Sequence, residues 1–153
     1  MEHSNLIKEV EAKLTAARTE IGVKSIQIVD SVWDVSDQAG FPILGILDGG
    51  DSEEQTKVED LQRLDLTFVA IQKIQTGNPG ASVLGSESRP GCLKIKERTV
   101  AFLKKKENRV PGFHSVKYMG SPPAQPFDRL KVGSNNASFK LFRMRYSQLA
   151  RSS

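Results

Sequence analysis

The residues of this chain whose types could do chemistry are few, and their spacing decides against most of the chemistry. Two histidines, His3 and His114, and one cysteine, Cys92, are the usual candidates for metal binding or nucleophilic attack. A metal site needs His, Cys or carboxylate ligands at short repeating spacings, and neither histidine has such a neighbour. A thiol nucleophile needs a base to take its proton, and only His114 is available to Cys92. Cys92 falls on an apolar-periodic stretch, where a cysteine behaves as a small hydrophobe. The acids Asp48, Asp51, Glu53, Glu54 and Glu59 crowd one segment. They lack the glycine and the terminal glutamate at the places that a calcium loop demands. None of the patterns G-x-S-x-G, G-x-G-x-x-G, H-E-x-x-H or the P-loop occurs. The expectation is a protein with no catalytic residue, no metal and no cofactor, and so not an enzyme.

What remains is charge, and it is unevenly spread. Residues 1–88 carry 7 Lys/Arg against 15 Asp/Glu, net −8, and residues 89–153 carry 15 against 3, net +12, which together give the overall +4. A basic half can bind a polyanion, or it can meet the acidic half of another copy. Lys104, Lys105, Lys106 and Arg109 close a helical stretch. There a lysine run is the routine complement to the helix dipole, preferred here over a nucleic-acid patch. Arg143 and Arg145 form the cationic outer face of the last strand. These six bases and the five acids are the expected partner or oligomer contacts.

The elements that must position these charges centre on residues 64–74. Leu64, Leu66, Phe68 and Ala70 fall on one face and Asp65, Thr67, Val69 and Ile71 on the other, the period of two of a strand. From Phe68 onward both faces are apolar, so this strand is expected to be central and covered on both sides. Upstream, Leu6, Ile7, Val10, Leu14, Ala17 and Ile21 recur at helical spacing, with Ser4 or Asn5 as cap and Gly22 as stop. Residues 24–33 read as a first strand, with Trp33 as a core or sheet-edge anchor. Residues 41–47 read as a second strand, Asp48-Gly49-Gly50-Asp51 as a flexible turn, and 41–74 together as a long hairpin with an acidic tip. In it, Val58 and Leu61 anchor an extension toward the central strand.

Residues 76–88 form a loop of small residues, and Pro90 opens a second helix to about Lys106 with Cys92, Ile95, Thr99, Phe102 and Leu103 on its apolar face. A short strand over 113–119, an unpairable proline-rich segment over 121–126, and a long loop or irregular hairpin over 128–138 follow. The last strand runs over 139–148, with Phe142, Met144 and Tyr146 on one side and Leu141, Arg143 and Arg145 on the other. The order α-β-β-β-α-β-β predicts a single α+β domain of 153 residues, with two helices packed on one mostly antiparallel sheet. The lone cysteine suits a reducing compartment. No apolar run approaches the roughly 18 residues of a membrane span, so no membrane is expected as a partner.

This arrangement resembles the tail-terminator proteins of tailed bacteriophages, to which related neck and tail-completion proteins are similar. The likeness is carried by the opening helix over 6–21 and the strand over 26–33 directly after it. It continues in the hairpin of 41–47 and 64–73 with its long polar tip, the later helix over 90–106 and the closing strand over 139–146. The long proline-rich 121–138 segment matches no feature of that family. The resemblance implies a non-enzymatic ring, usually a hexamer, that sits on the finished tail tube, stops its polymerisation and joins the tail to the head. It implies as partners the tail tube protein, a head-closure or neck protein, and sheath components where the tail is contractile, with DNA passing through without specific binding. It implies a place in the virion neck, after assembly in the host cytoplasm. Two alternatives stand beside it: a head-closure or neck connector protein of the same particle, and a small nucleic-acid-binding module using the basic half.

Overall fold

A computed structural model describes residues 2–55, 60–75, 77–78, 80–86, 89–124 and 129–149. The fold is α+β, as expected. Helices α1 (His3–Ala16) and α2 (Arg18–Ile21) lead into strand β1 (Ser25–Ile28). Strands β2 (Ile43–Gln55) and β3 (Asp60–Lys73) make the long hairpin. Helices α3 (Ala81–Leu84) and α4 (Cys92–Lys104) follow, and strands β4 (Ser115–Gly120), β5 (Arg129–Val132) and β6 (Asn135–Leu149) complete the chain. The sheet runs β1-β2-β3-β6-β4, with β5 paired to β6 beyond β4. Among the described residues only β1 and β2 pair in parallel, so the sheet is mostly antiparallel, with β3 at the middle of the strand order.

The pattern of β3 explains the two cores. Leu64, Leu66, Phe68 and Ala70 join Leu44 and Ile46 of β2 and Phe142, Met144 and Tyr146 of β6 on one face. Against this face α1 lays Leu6, Val10 and Leu14, one helical turn apart, and α4 lays Cys92, Ile95, Phe102 and Leu103. Phe68 and Phe142 sit opposite each other in register and stack, with ring centroids 5.2 Å apart. On the other face Val69 and Ile71 pack with Ile43, Val35, Leu130, Val132 and Ala137. The five residues expected on the apolar face of the second helix are all buried. Thr99 among them is satisfied, because its hydroxyl donates to the Ile95 carbonyl at 2.7 Å.

Several local expectations are corrected. The first helix is capped by Glu2 with no side-chain bond, rather than by Ser4 or Asn5, and breaks at Ala17. Gly22 does end it, at φ +93°. The first strand stops at Ile28 instead of reaching Trp33. The Ser31 hydroxyl accepts the Trp33 N–H at 3.2 Å and starts a 3-10 turn, Val32–Asp34, that turns the indole outward to 68% exposure. Trp33 is therefore no core anchor.

Asp48-Gly49-Gly50-Asp51 is a bulge inside β2, not a turn. Partners step from Leu66 to Leu64 while β2 advances from Asp48 to Asp51, one residue too many. The Asp48 carboxylate accepts the Gly50 N–H at 2.8 Å, and Gly50 takes φ +91°, which absorbs the extra residue. Gly49 lies so close to β3 that an added Cβ would come within 2.7 Å of the Asp65 backbone. The hairpin thus continues in pairing to Gln55 and Asp60; Val58 lies outside the described residues, and Leu61 is in β3.

Helix α3 interrupts the 76–88 loop. Residues 129–138 form a regular hairpin closed at Gly133-Ser134, with Val132 opposite Asn135. The final strand is longer than read because Asn135 to Ser138 belong to it. Residues 121–124 are unpaired, as the prolines dictate. Among the described residues no helix is long and apolar enough to cross a membrane.

Candidate functional site

The expected acids divide by position. Asp51, Glu53 and Glu54 lie on the distal part of β2, where every residue from Asp51 to Gln55 is exposed. Glu54 is paired with Arg63 across the hairpin. Asp48 sits at the bulge, 3.5 Å from the His3 ring, and Asp60 opens β3 as an exposed neighbour. Glu59 lies outside the described residues. The hairpin end is therefore paired as strand yet carries acids along its length, because alternation here puts polar side chains on both faces.

The expected bases are not gathered into one patch. Phe142, Met144 and Tyr146 face the helices, so Arg143 and Arg145 point to the opposite face of the sheet. There both bind Asp65, which is 4% exposed. Arg143 Nη2 donates to Asp65 Oδ2 at 2.6 Å, and Arg145 forks onto the carboxylate through Nε at 2.8 Å and Nη2 at 3.0 Å. Asp65 and Arg145 are directly opposite in the β3–β6 register, so strand pairing itself makes this contact. The hydrogen bond to Asp65 holds the Arg145 guanidinium above its already high ordinary pKa.

Lys104, Lys105, Lys106 and Arg109 sit on the helix side, exposed, around the C-terminus of α4. Lys105 reaches Glu20 at 3.3 Å. Among the described residues, acidic and basic halves thus meet within one copy at two places, Asp65 and Glu20, which consume part of the charge that the sequence offered to partners.

The nucleophile candidate has no chemistry. The Cys92 thiol is buried and donates to the Ser138 carbonyl at 3.2 Å, and burial pushes its pKa up to about 12. A thiol so protonated does not attack. Among the described residues no group of His, Cys, Asp and Glu could hold a metal ion.

One feature was invisible in the sequence. Where β2 begins and β3 ends, a cleft of about 1020 Å³ opens between the end of α2, the Phe41-Pro42 segment and the start of α4. Arg18, Lys24, Lys73, Arg89 and Arg98 line it, and among the described residues no carboxylate does. Two of the five are fastened to the frame. Arg98 donates to the Ile21 carbonyl at 3.2 Å, and Arg89 reaches the Gln72 side chain at 3.3 Å. Gln72 is itself fully buried and donates to the Pro90 carbonyl at 2.8 Å.

Gly22 gives the cleft its floor, since a Cβ there would meet Arg98 at 2.8 Å and Pro90 at 2.9 Å. Among the described residues none of the five cations makes an ion pair. They come from positions 18 to 98, on five different segments, and follow no spacing rule.

The described residues therefore offer an acidic hairpin end, a self-paired Asp65–Arg143–Arg145 grid, a basic helix end and a cationic cleft whose five cations make no ion pair among those residues. No protein-family model matches the chain, and no curated protein matches it.

Proposed function

We propose that this chain is the subunit of a structural ring, of the tail-terminator kind in tailed bacteriophages. The ring, a hexamer, caps the tail tube, ends its polymerisation and receives the head-closure or neck protein. Where a sheath is present, the ring meets its last layer as well. The observation that carries the reading is the distal half of the β2–β3 hairpin. Eight residues, Asp48 to Gln55, extend β2 past the last buried residue, Ile46, paired to β3 except at the bulge of Gly49 and Gly50 and with no buried side chain of their own. This exposed end of β2 costs backbone entropy that its own side chains do not offset with buried apolar area, and contact with a neighbour offsets it. The order of elements and the two helices on one sheet face agree with the layout that the resemblance implies.

The test is the composition and shape of particles. Tails assembled without this chain would have tubes of unregulated length and would not accept heads. Finished, joined particles that contain no copy of it would overturn the proposal. The runner-up reading, a nucleic-acid-binding module, draws on the cationic cleft. It loses ground because Arg143 and Arg145 lie on the opposite sheet face from Lys104, Lys105, Lys106 and Arg109 and are occupied by Asp65.

A further inference from the structure

The cleft and the acidic arm lie at the two ends of the same hairpin. Phe41 and Pro42, just before β2, and Lys73, the last residue of β3, belong to the cleft. Gln55 and Asp60 close the described part of the other end. β2 spans Ile43 to Gln55, and at about 3.4 Å per residue the two ends are roughly 40 Å apart. A copy cannot bring its own arm to its own cleft. The charges nevertheless match: Asp51, Glu53 and Asp60 are exposed and make no ion pair among the described residues, and the five cations of the cleft make none either.

We propose that the acidic hairpin end of one copy seats in the five-cation cleft of the next copy. This deepens the ring reading and rests on it. A contact between two different surfaces at opposite ends of a subunit is heterologous, and repeated it closes a ring when its rotation divides a full turn, or runs on as a helical filament when it does not. Five like charges around one cleft repel one another, and an incoming carboxylate-bearing strand pair relieves that repulsion. Arg89 and Arg98 are held to the frame and so are pre-set for the arm, while Arg18, Lys24 and Lys73 are exposed and free to close on it. The cleft volume takes several side chains of a strand end, not a whole domain.

The experiment uses the full chain, alone and with tube protein, in two reversed forms. The arm variant carries Asp51→Lys and Glu53→Lys, leaving Glu54 on Arg63. The cleft variant carries Arg18→Glu, Lys24→Glu and Lys73→Glu, leaving the two arginines that support the frame. Thermal melts first show that both fold as the parent does. Equal amounts of ¹⁴N- and ¹⁵N-labelled chain are then treated with a carbodiimide, which joins carboxylates to lysine amines in contact. Products that mix the two isotopes are mapped by mass spectrometry.

The expected result is linkage of Asp51, Glu53 or Glu54 in one chain to Lys24 or Lys73 in another. Either reversal alone should lower that yield at least about tenfold, and raising the salt should lower it too. Mixing the two variants should restore linkage, because each then offers the other a matching end. Isotope-mixed links confined to other surfaces, with arm and cleft unlinked, would overturn the seating while leaving the ring intact. The absence of any mixed product, even with tube protein, would remove both. A cleft that binds duplex DNA tightly, lost in the cleft variant and indifferent to the arm variant, would assign the cations to nucleic acid instead.

Discussion

Along β2, the two halves of the β2–β3 hairpin are continuous in pairing and opposite in burial. Near its start, Ile43, Leu44 and Ile46 pair with Ile71, Ala70 and Phe68, and all six side chains are fully buried. Past the bulge, Asp51, Ser52, Glu53, Glu54 and Gln55 pair with residues 60–64 just as regularly, but all five are exposed. Backbone hydrogen bonds are therefore common to both halves, and burial is not. Since a net hydrogen bond contributes only about 1 kcal/mol while burying a Phe or Leu contributes about 1.5–3 kcal/mol, stability should concentrate in the first half. The second half is then available for contact with something else. Asp65 sits at the border, the one buried acid among the described residues of the hairpin, neutralised by two arginines of the adjacent strand.

The sharpest way to break this contrast is at Phe68. Phe68→Ala opens a cavity under the stacked Phe142 and should destabilise the fold by about 3–5 kcal/mol in urea unfolding. At the border, Asp65→Ala leaves Arg143 and Arg145 facing each other without a carboxylate. A loss of about 1–3 kcal/mol is expected, lower than for Phe68 because both guanidiniums keep access to water. Gly49→Ala forces the bulge away from the Asp65 backbone, and a loss of about 1–2 kcal/mol with shifted amide signals across residues 48–66 would follow.

Alkaline pH probes the buried half without mutation. Burial raises the pKa of Cys92 from 9.0 to about 12 and raises that of Tyr146 as well, so the native state keeps both neutral while the unfolded chain ionises. Well below pH 9 neither contributes pH dependence, because both are neutral in the folded and the unfolded chain. Above it the unfolded state binds fewer protons, and the unfolding free energy should fall as pH rises toward 12. The slope is at most about 1.4 kcal/mol per pH unit per group. Flat stability across pH 9–11 would show these groups exposed. The smallest effect belongs to the distal half: Glu53→Lys should change stability by no more than about 0.5 kcal/mol, and a loss above about 1 kcal/mol would mean that the arm is part of the core after all.

Read residue by residue, the sequence determined the main elements that depend on local periodicity, while it missed the break at Ala17 and the β5–β6 pairing over 129–138. The two faces of β3, the apolar stripes of α1 and α4, the stop at Gly22 and the alternation of β6 follow from side-chain spacing, and the structure has each of them. Local competition defeated it at two points. A serine hydroxyl turned residues 32–34 out of the strand, and an aspartate with a glycine made a bulge of what looked like a turn. Both depend on single hydrogen bonds that periodicity does not record. Tertiary structure alone decided which charges are free. Register across β3 and β6 put Arg143 and Arg145 onto Asp65, and packing of α2 against α4 brought Arg18 and Arg98 to one cleft with Lys24, Lys73 and Arg89. The physical reason is range. Helices and strands are read from neighbours a few residues apart, whereas ion pairs and clefts join residues up to 85 positions distant, and those meet only once the chain has fixed its fold.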